Sequence, residues 1–171
     1  TRMRIIMQRG AYAGPCGNFP HGEVEDYTVN LKITGPAPDL TTPAWELIPA
    51  NNSCFTNPGQ TFAFLAGLVL NTGSAGAGHF TAKAWLSADE QFGNADDLLW
   101  QTLQYDTISP SGAPGNPLGL SISEPVPLAT PPGIYHFFVQ VDADNAVVEL
   151  DESNNIFQST VDYGKYLGAA S

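Results

Sequence analysis

The region between residues 41 and 163 is a series of short apolar runs, each followed by a turn signal. Gly, Pro, Asn and Asp separate the runs at even spacing; the runs are WELIP, TFAFLAGLVLN, HFTAKAWLS, LQYDTI, LGLSISEPVPL, GIYHFFVQVD, AVVEL and IFQSTVDY. Short strands at such spacing are typical of a β-sandwich. No window carries a sustained 3.6-residue apolar stripe with capping residues, so we predict an all-β fold with almost no helix.

Alternation within two of these runs predicts which side chains share a face, because successive residues of a strand point to opposite faces. In GIYHFFVQV the predicted core face carries Tyr135, Phe137, Val139 and Val141. In TFAFLAGLVL the predicted shared face carries Phe62, Phe64, Leu68 and Leu70.

Residues 1–34 form a separate and smaller unit in this prediction. RMRIIMQ and EVEDYTVNLKI read as two strands joined by a loop, and they bury too little surface to be stable alone. We therefore expect a partial β domain that is a fragment of something longer and is completed elsewhere. Residues 35–40 are predicted to be a linker, 41–163 the sandwich, and 164–171 a tail.

The charge of the chain restricts its partners. The net charge is −11, with only six Lys and Arg residues. Nucleic acids and anionic membranes are bound through clustered cations, so neither is an expected partner. The run at 62–70 is too short for the roughly 20 apolar residues that span a bilayer, so we expect no membrane insertion.

Two cysteines, Cys16 and Cys54, lie in turn-rich surroundings. Neither belongs to a C-x-x-C pair, which argues against a zinc site or a thioredoxin-type redox site. A disulfide is possible in an oxidising compartment, and the sequence leaves open whether the two pair with each other.

The stretch HGEVEDYTV places carboxylates at the start of a strand, and Glu25 falls on the apolar face of that strand. A buried carboxylate without a partner is unfavourable, so we predict an ion pair between Arg4 and Glu25. The alternatives are a share in a cation site completed by another segment, and acid–base catalysis. No nucleophile or base accompanies these carboxylates, which makes catalysis the weakest of the three.

The stretch DADNAVVELDESNN is the other acidic segment. Asp142, Asp144, Glu149, Asp151 and Glu152 offer oxygen ligands of the kind that Ca²⁺ prefers. The EF-hand pattern fails, because Ala146 and Val147 stand where a ligand and a glycine are required. A hairpin in which Asp144 and Asn145 adopt left-handed backbone conformations is the favoured interpretation. We therefore expect no cofactor, with Ca²⁺ at Asp142, Asp144, Glu149 and Asp151 as the alternative.

Residues 1–33 resemble the closing half of the GEVED domain. The resemblance is carried by TRMRIIMQRG and by PCGNFPHGEVEDYTVNL, and the front half of that domain has no counterpart in this sequence. The GEVED domain is a small β domain of secreted and surface proteins, common in Bacteroidota and often found beside peptidases and adhesins.

Residues 38–163 resemble the CARDB family. PDL, LNTGSAGAG, AWLSADEQFGNADDLL and PPGIYHFFVQVDADNAVVELDESNN carry this resemblance. It implies an immunoglobulin-like sandwich of the kind repeated in bacterial and archaeal extracellular proteins and associated with adhesion.

The resemblances imply an extracellular or cell-surface bacterial protein. We expect a non-catalytic module for adhesion, for binding a protein or glycan ligand, or for spacing neighbouring domains. One alternative is a subunit of an extracellular assembly whose N-terminal unit another chain completes. The other is an accessory C-terminal region of a secreted peptidase.

Overall fold

A computed structural model describes residues 2–10, 14, 21–28, 34–43, 45–49, 55–61, 63–122, 124–158 and 166–167. The chain divides into two compact units, Thr1–Thr34 and Gly35–Ser171. Throughout the described residues the secondary structure consists of strands and turns without helix, as the sequence predicts. The predicted disulfide cysteines, Cys16 and Cys54, lie outside the described residues.

Unit 1 contains a two-stranded antiparallel sheet of β1 (Arg2–Gln8) and β2 (Gly22–Thr28). Every described side chain of β2 is exposed. The face that carries Glu25 also carries apolar side chains that are between 43% and 66% exposed; they are Met3, Ile5, Met7 and Tyr27.

The predicted ion pair between Arg4 and Glu25 is wrong. The register sets Arg4 opposite Asp26 and sets Ile5 opposite Glu25, so Arg4 and Glu25 lie on opposite faces of the sheet. Arg4 instead binds Asp26 through two hydrogen bonds, from Nε to Oδ1 at 2.6 Å and from Nη2 to Oδ2 at 2.7 Å. Glu25 accepts a hydrogen bond from the Tyr27 hydroxyl. Because the Arg4 and Asp26 side chains are 45% and 44% exposed, their pair contributes only about 0–1 kcal/mol.

Unit 2 contains the remaining strands, which are short and even in spacing. They are β3 (Leu40–Thr41), β4 (Trp45–Pro49), β5 (Phe55–Thr56), β6 (Ala63–Asn71), β7 (Phe80–Ser87), β8 (Leu98–Tyr105), β9 (Leu118–Ile122), β10 (Gly133–Ile134), β11 (His136–Val141), β12 (Ile156–Gln158) and β13 (Tyr166–Leu167). One sheet has the order β12-β11-β7-β8, a second is built on β6 with β3, β4 and β9, and a small third has the order β10-β13-β5.

The core lies between the sheet of β7 and β11 and the sheet of β6. The predicted core face of β11 is confirmed, since the side chains of its four residues are at most 7% exposed; they are Tyr135, Phe137, Val139 and Val141. Trp100 of β8 packs on Phe137 with 5.8 Å between ring centroids. From the second sheet, Leu40, Val69 and Ile122 are completely buried against them.

The face of β6 on which Leu68 and Leu70 were predicted to lie together is not the buried face of this strand. Val69 is completely buried, whereas Leu68 is 43% exposed. The run is apolar at successive positions, so it contains no alternation from which the buried face can be read.

Two predicted boundaries also change. Residues 35–40 were expected to be a linker, but Ala37 is 5% exposed, Leu40 is completely buried, and Leu40 begins β3. In the predicted tail, Tyr166 pairs with Ile134 and, in parallel, with Phe55. We refer to residues 37–41 as the edge segment, because they form the first stretch of unit 2 that joins the sandwich.

The edge segment passes directly over Gly73. A Cβ atom at this position would lie 2.2 Å from the Ala37 carbonyl oxygen and 2.7 Å from the Asp39 nitrogen. Backbone atoms have little room to yield at such distances, so no larger residue fits here without moving the edge segment.

We expect Gly73→Ala to destabilise the sandwich by roughly 2–4 kcal/mol, measured by chemical denaturation of the full chain. Gly78→Ala is the matched control, because a Cβ there meets nothing within 4 Å. Equal stability of the two variants would contradict the close packing at Gly73.

Candidate functional site

The loop between β11 and β12, residues 142–155, carries most of the polar contacts of interest. Asp142 follows β11 with a φ of 47°, and its carboxylate accepts hydrogen bonds from the Ala146 and Val147 amides at 3.0 and 2.9 Å. Asn145 has a φ of 53°, as the predicted turn requires. The other left-handed residue is Asp142 rather than the predicted Asp144.

Glu149 is one of two buried acids of this loop, with an exposure of 4% against 2% for Asp142. Its Oε2 accepts a hydrogen bond from the Leu40 amide, and its Oε1 accepts one from Asn155 Nδ2 at 3.0 Å. The Glu149 amide donates to Glu152 Oε1 at 2.9 Å. Oxygen atoms of Asp142, Glu149 and Glu152 lie within 4.8 Å of one another. We call these three residues the carboxylate cluster.

The same loop holds the edge segment at three further points. The Leu150 amide donates to the Pro38 carbonyl at 3.0 Å. Asn154 Nδ2 donates to Asp39 Oδ1 at 2.9 Å, and the Asn154 carbonyl accepts from Thr41 Oγ1 at 3.2 Å. These contacts link residues more than a hundred positions apart in the chain.

Asn71, which is 1% exposed, holds the edge segment from the other side. Its Oδ1 accepts hydrogen bonds from the Asp39 and Gly73 amides, each at 3.0 Å. Its Nδ2 donates to the Ala75 carbonyl at 2.7 Å and to the Ser109 carbonyl at 3.1 Å. All donor and acceptor groups of this buried side chain are therefore used.

Sequence reasoning missed Asn71 and the edge segment. One sequence signal could have identified Asn71: it follows the apolar run directly and precedes the turn residues Thr72 and Gly73. A polar side chain at the end of a buried strand requires hydrogen-bond partners. Pro36 and Pro38 indicated a linker, and no local pattern reveals acceptors supplied by distant loops.

The structure brings together two of the four predicted calcium ligands, Asp142 and Glu149, and adds Glu152 as the third acid. Asp144 lies elsewhere, because it accepts hydrogen bonds from Thr81 Oγ1 at 2.9 Å and Lys83 Nζ at 2.6 Å. Asp151 accepts from the Ser153 amide at 2.9 Å and closes its own turn. The predicted ligand set is therefore corrected at these two positions.

The other acidic loop, residues 88–97, uses its carboxylates to hold its own backbone. Asp89 accepts from the Gln91 amide at 2.7 Å, Asp96 from the Ala88 amide at 2.8 Å, and Asp97 from the Asn94 amide at 3.1 Å. The acidic residues of this loop therefore serve to form its turns, because their carboxylates accept hydrogen bonds from its backbone amides.

Burial raises the pKa of Glu149 to about 7, and the nearby Glu152 and Asp142 carboxylates add to the rise. The hydrogen bonds from Leu40 and Asn155 oppose it, because they favour the charged form. In the surrounding turns the pKa values of Asp144 and Asp151 are lowered, chiefly by hydrogen bonds from Lys83 and Ser153 respectively.

Comparison with known families gives two matches. The GEVED domain matches residues 1–30, and CARDB matches residues 37–159. No curated protein is similar enough to the chain to be matched.

Comparison with solved structures also finds a CARDB domain. The crystal structure of the CARDB domain of the PF1109 protein from Pyrococcus furiosus, in complex with di-metal ions, is 21% identical with a TM-score of 0.51. That match covers 74% of this chain and 94% of the other. A domain of a Methanosarcina acetivorans protein assigned to the cell surface is 19% identical over 72% of this chain and 89% of the other, with a TM-score of 0.48.

Glu149 generates a prediction about pH. Its pKa is about 7 in the folded protein against an ordinary 4.5, so the folded state keeps a proton that the unfolded state has released. Between these pH values the free energy of unfolding should therefore fall as pH rises, by up to about 3 kcal/mol in total. Glu149→Gln keeps an acceptor for Leu40 but cannot ionise, so it should remove this fall.

The measurement is urea unfolding of the full chain in metal-free buffer from pH 4.5 to pH 8. Glu90→Gln is the control, because Glu90 is exposed. A pH profile of Glu149→Gln that matches the wild type would contradict the assignment.

Proposed function

The chain belongs to the CARDB family, and from this membership and the contacts of the edge segment we propose that it is a non-catalytic extracellular spacer. In this proposal the immunoglobulin-like sandwich carries neighbouring domains at a fixed attachment point, and those domains are its partners. The GEVED match at residues 1–30 supplies one such neighbour within the same chain.

The single observation that supports this proposal is the way the edge segment is held. It is the first part of the sandwich after unit 1, and it is hydrogen-bonded both to the loop 142–155 and to Asn71. Thr72 adds two bonds to Asp39, from its amide at 2.8 Å and from its hydroxyl at 2.6 Å to Oδ2. A spacer transmits position and load through its attachment point, so anchoring there is the property that it needs.

The charge of the chain bears on which partners this proposal allows. With a net charge of −11 and six cationic residues, the chain repels polyanions, so the proposal includes no nucleic acid or anionic membrane as a partner. Among the described residues, no helix has the length and apolar character needed to cross a membrane.

Single-molecule pulling on the full chain between its termini tests the spacer role. Residues 37–158 should unfold in one cooperative step and lengthen the chain by about 400 Å, at roughly 3.5 Å per residue. Glu149→Ala removes the acceptor of the Leu40 amide and should lower the unfolding force. Asp151→Asn, which keeps an acceptor for the Ser153 amide and does not contact the edge segment, should leave the force close to that of the wild type.

A second control separates mechanical anchoring from loss of stability. Val139→Ala removes core volume from β11 and leaves the edge segment intact. The proposal predicts that Glu149→Ala loses more unfolding force than a core variant with equal loss of thermal stability. If the two variants lose the same unfolding force, the edge segment has no special mechanical role and the proposal is contradicted.

A further inference from the structure

We propose that Asp142, Glu149 and Glu152 bind a divalent cation of the calcium class, with the side-chain oxygen of Asn155 as a further ligand. The inference is independent of the proposed spacer role. A spacer can function without an ion, and an ion can bind to a sandwich with another role.

The spacing of the carboxylate cluster fits such an ion. One oxygen from each of the three residues lies within 4.8 Å of the other two. Calcium–oxygen distances are about 2.3–2.6 Å, so ligands on opposite sides of the ion are separated by about 4.6–5.2 Å. The three oxygens can therefore contact one calcium ion without a large movement of the loop.

The negative charges of the cluster also favour the binding of a cation. Among the described residues, the cations Arg4 and Lys83 pair with Asp26 and Asp144, which lie outside the cluster. Asp142 and Glu149 are 2% and 4% exposed, so water screens their mutual repulsion poorly. A bound cation would turn this repulsion into attraction.

Asn155 supplies an observation that does not depend on the acids. Asn155 is only 6% exposed, and its Oδ1 atom has no hydrogen-bond partner among the described residues. Its Nδ2 end faces the cluster and donates to Glu149 Oε1 at 3.0 Å, and the unpartnered Oδ1 is the other end of the same amide. A rotation of the amide exchanges its oxygen and nitrogen and places Oδ1 beside the same carboxylate oxygen. An amide oxygen is a ligand that calcium accepts.

Binding at this position would reinforce the edge segment. Glu149 already accepts the Leu40 amide, and Asp142 and Glu152 hold the two ends of the turn that carries Glu149. An ion shared by all three acids would fix the loop 142–152 against the first strand of the sandwich.

The test is calcium binding to the full chain after removal of metal with a chelator, by calorimetric titration and by thermal unfolding. Extracellular calcium modules bind with dissociation constants of about 10⁻⁴–10⁻³ M. At 10 mM Ca²⁺ we expect the Tm of the sandwich to rise by roughly 5–10 °C. Sodium chloride at matched ionic strength should not reproduce the rise.

Two variants locate the site. Glu152→Gln keeps an acceptor for the Glu149 amide but removes one charge from an exposed ligand, so it should fold and should weaken calcium binding at least tenfold. Asp151→Asn, the matched control, removes one charge from the adjacent residue and should bind calcium as the wild type does. Absence of heat and of a Tm shift in the wild type, or an undiminished response in Glu152→Gln, would overturn the proposal.

Discussion

The hydrogen bond between the Leu40 amide and the Glu149 carboxylate is the interaction on which the account of this molecule rests. Leu40 is completely buried and lies in a strand of only two residues. A strand of this length has few ladder bonds of its own, so its position depends on acceptors from elsewhere. Glu149 and Asn71 supply them from opposite sides, and each is nearly removed from solvent.

This arrangement explains why an acidic residue is kept in the interior of the sandwich. Burial alone disfavours a charged Glu149, and two neighbouring carboxylates add to the cost. The same side chain is the acceptor that a buried amide needs, and a buried amide without an acceptor is also unfavourable. A polar acceptor is therefore needed at this position, where an apolar core residue would leave the first strand unanchored.

The sequence predicted those features that depend on local alternation. The core face of β11 was predicted correctly because apolar and polar residues alternate in GIYHFFVQV. The buried face of β6 could not be predicted in this way, because its apolar residues are consecutive. The partner of Arg4 depends on the register of two strands separated by a loop, and a shift of one residue exchanges the faces.

The candidate site was predictable only in part for a related reason. The density of acids in DADNAVVELDESNN marked the loop, and Asp142 and Glu149 do come together. Glu152 rather than the adjacent Asp151 joins Asp142 and Glu149, because Asp151 accepts the Ser153 amide in a turn of its own. The role of the edge segment depends on contacts across most of the chain, and no window of sequence contains both partners.

Amide hydrogen exchange at Leu40, followed by NMR on the full chain, tests the central claim most directly. If Glu149 and the sandwich anchor this strand, the Leu40 amide should exchange as slowly as those of Val139 and Val141 in β11, through global unfolding. The amide of Gly35, which precedes the edge segment, should exchange rapidly. Exchange of Leu40 at the rate of Gly35 would show that the edge segment opens independently and would contradict the account.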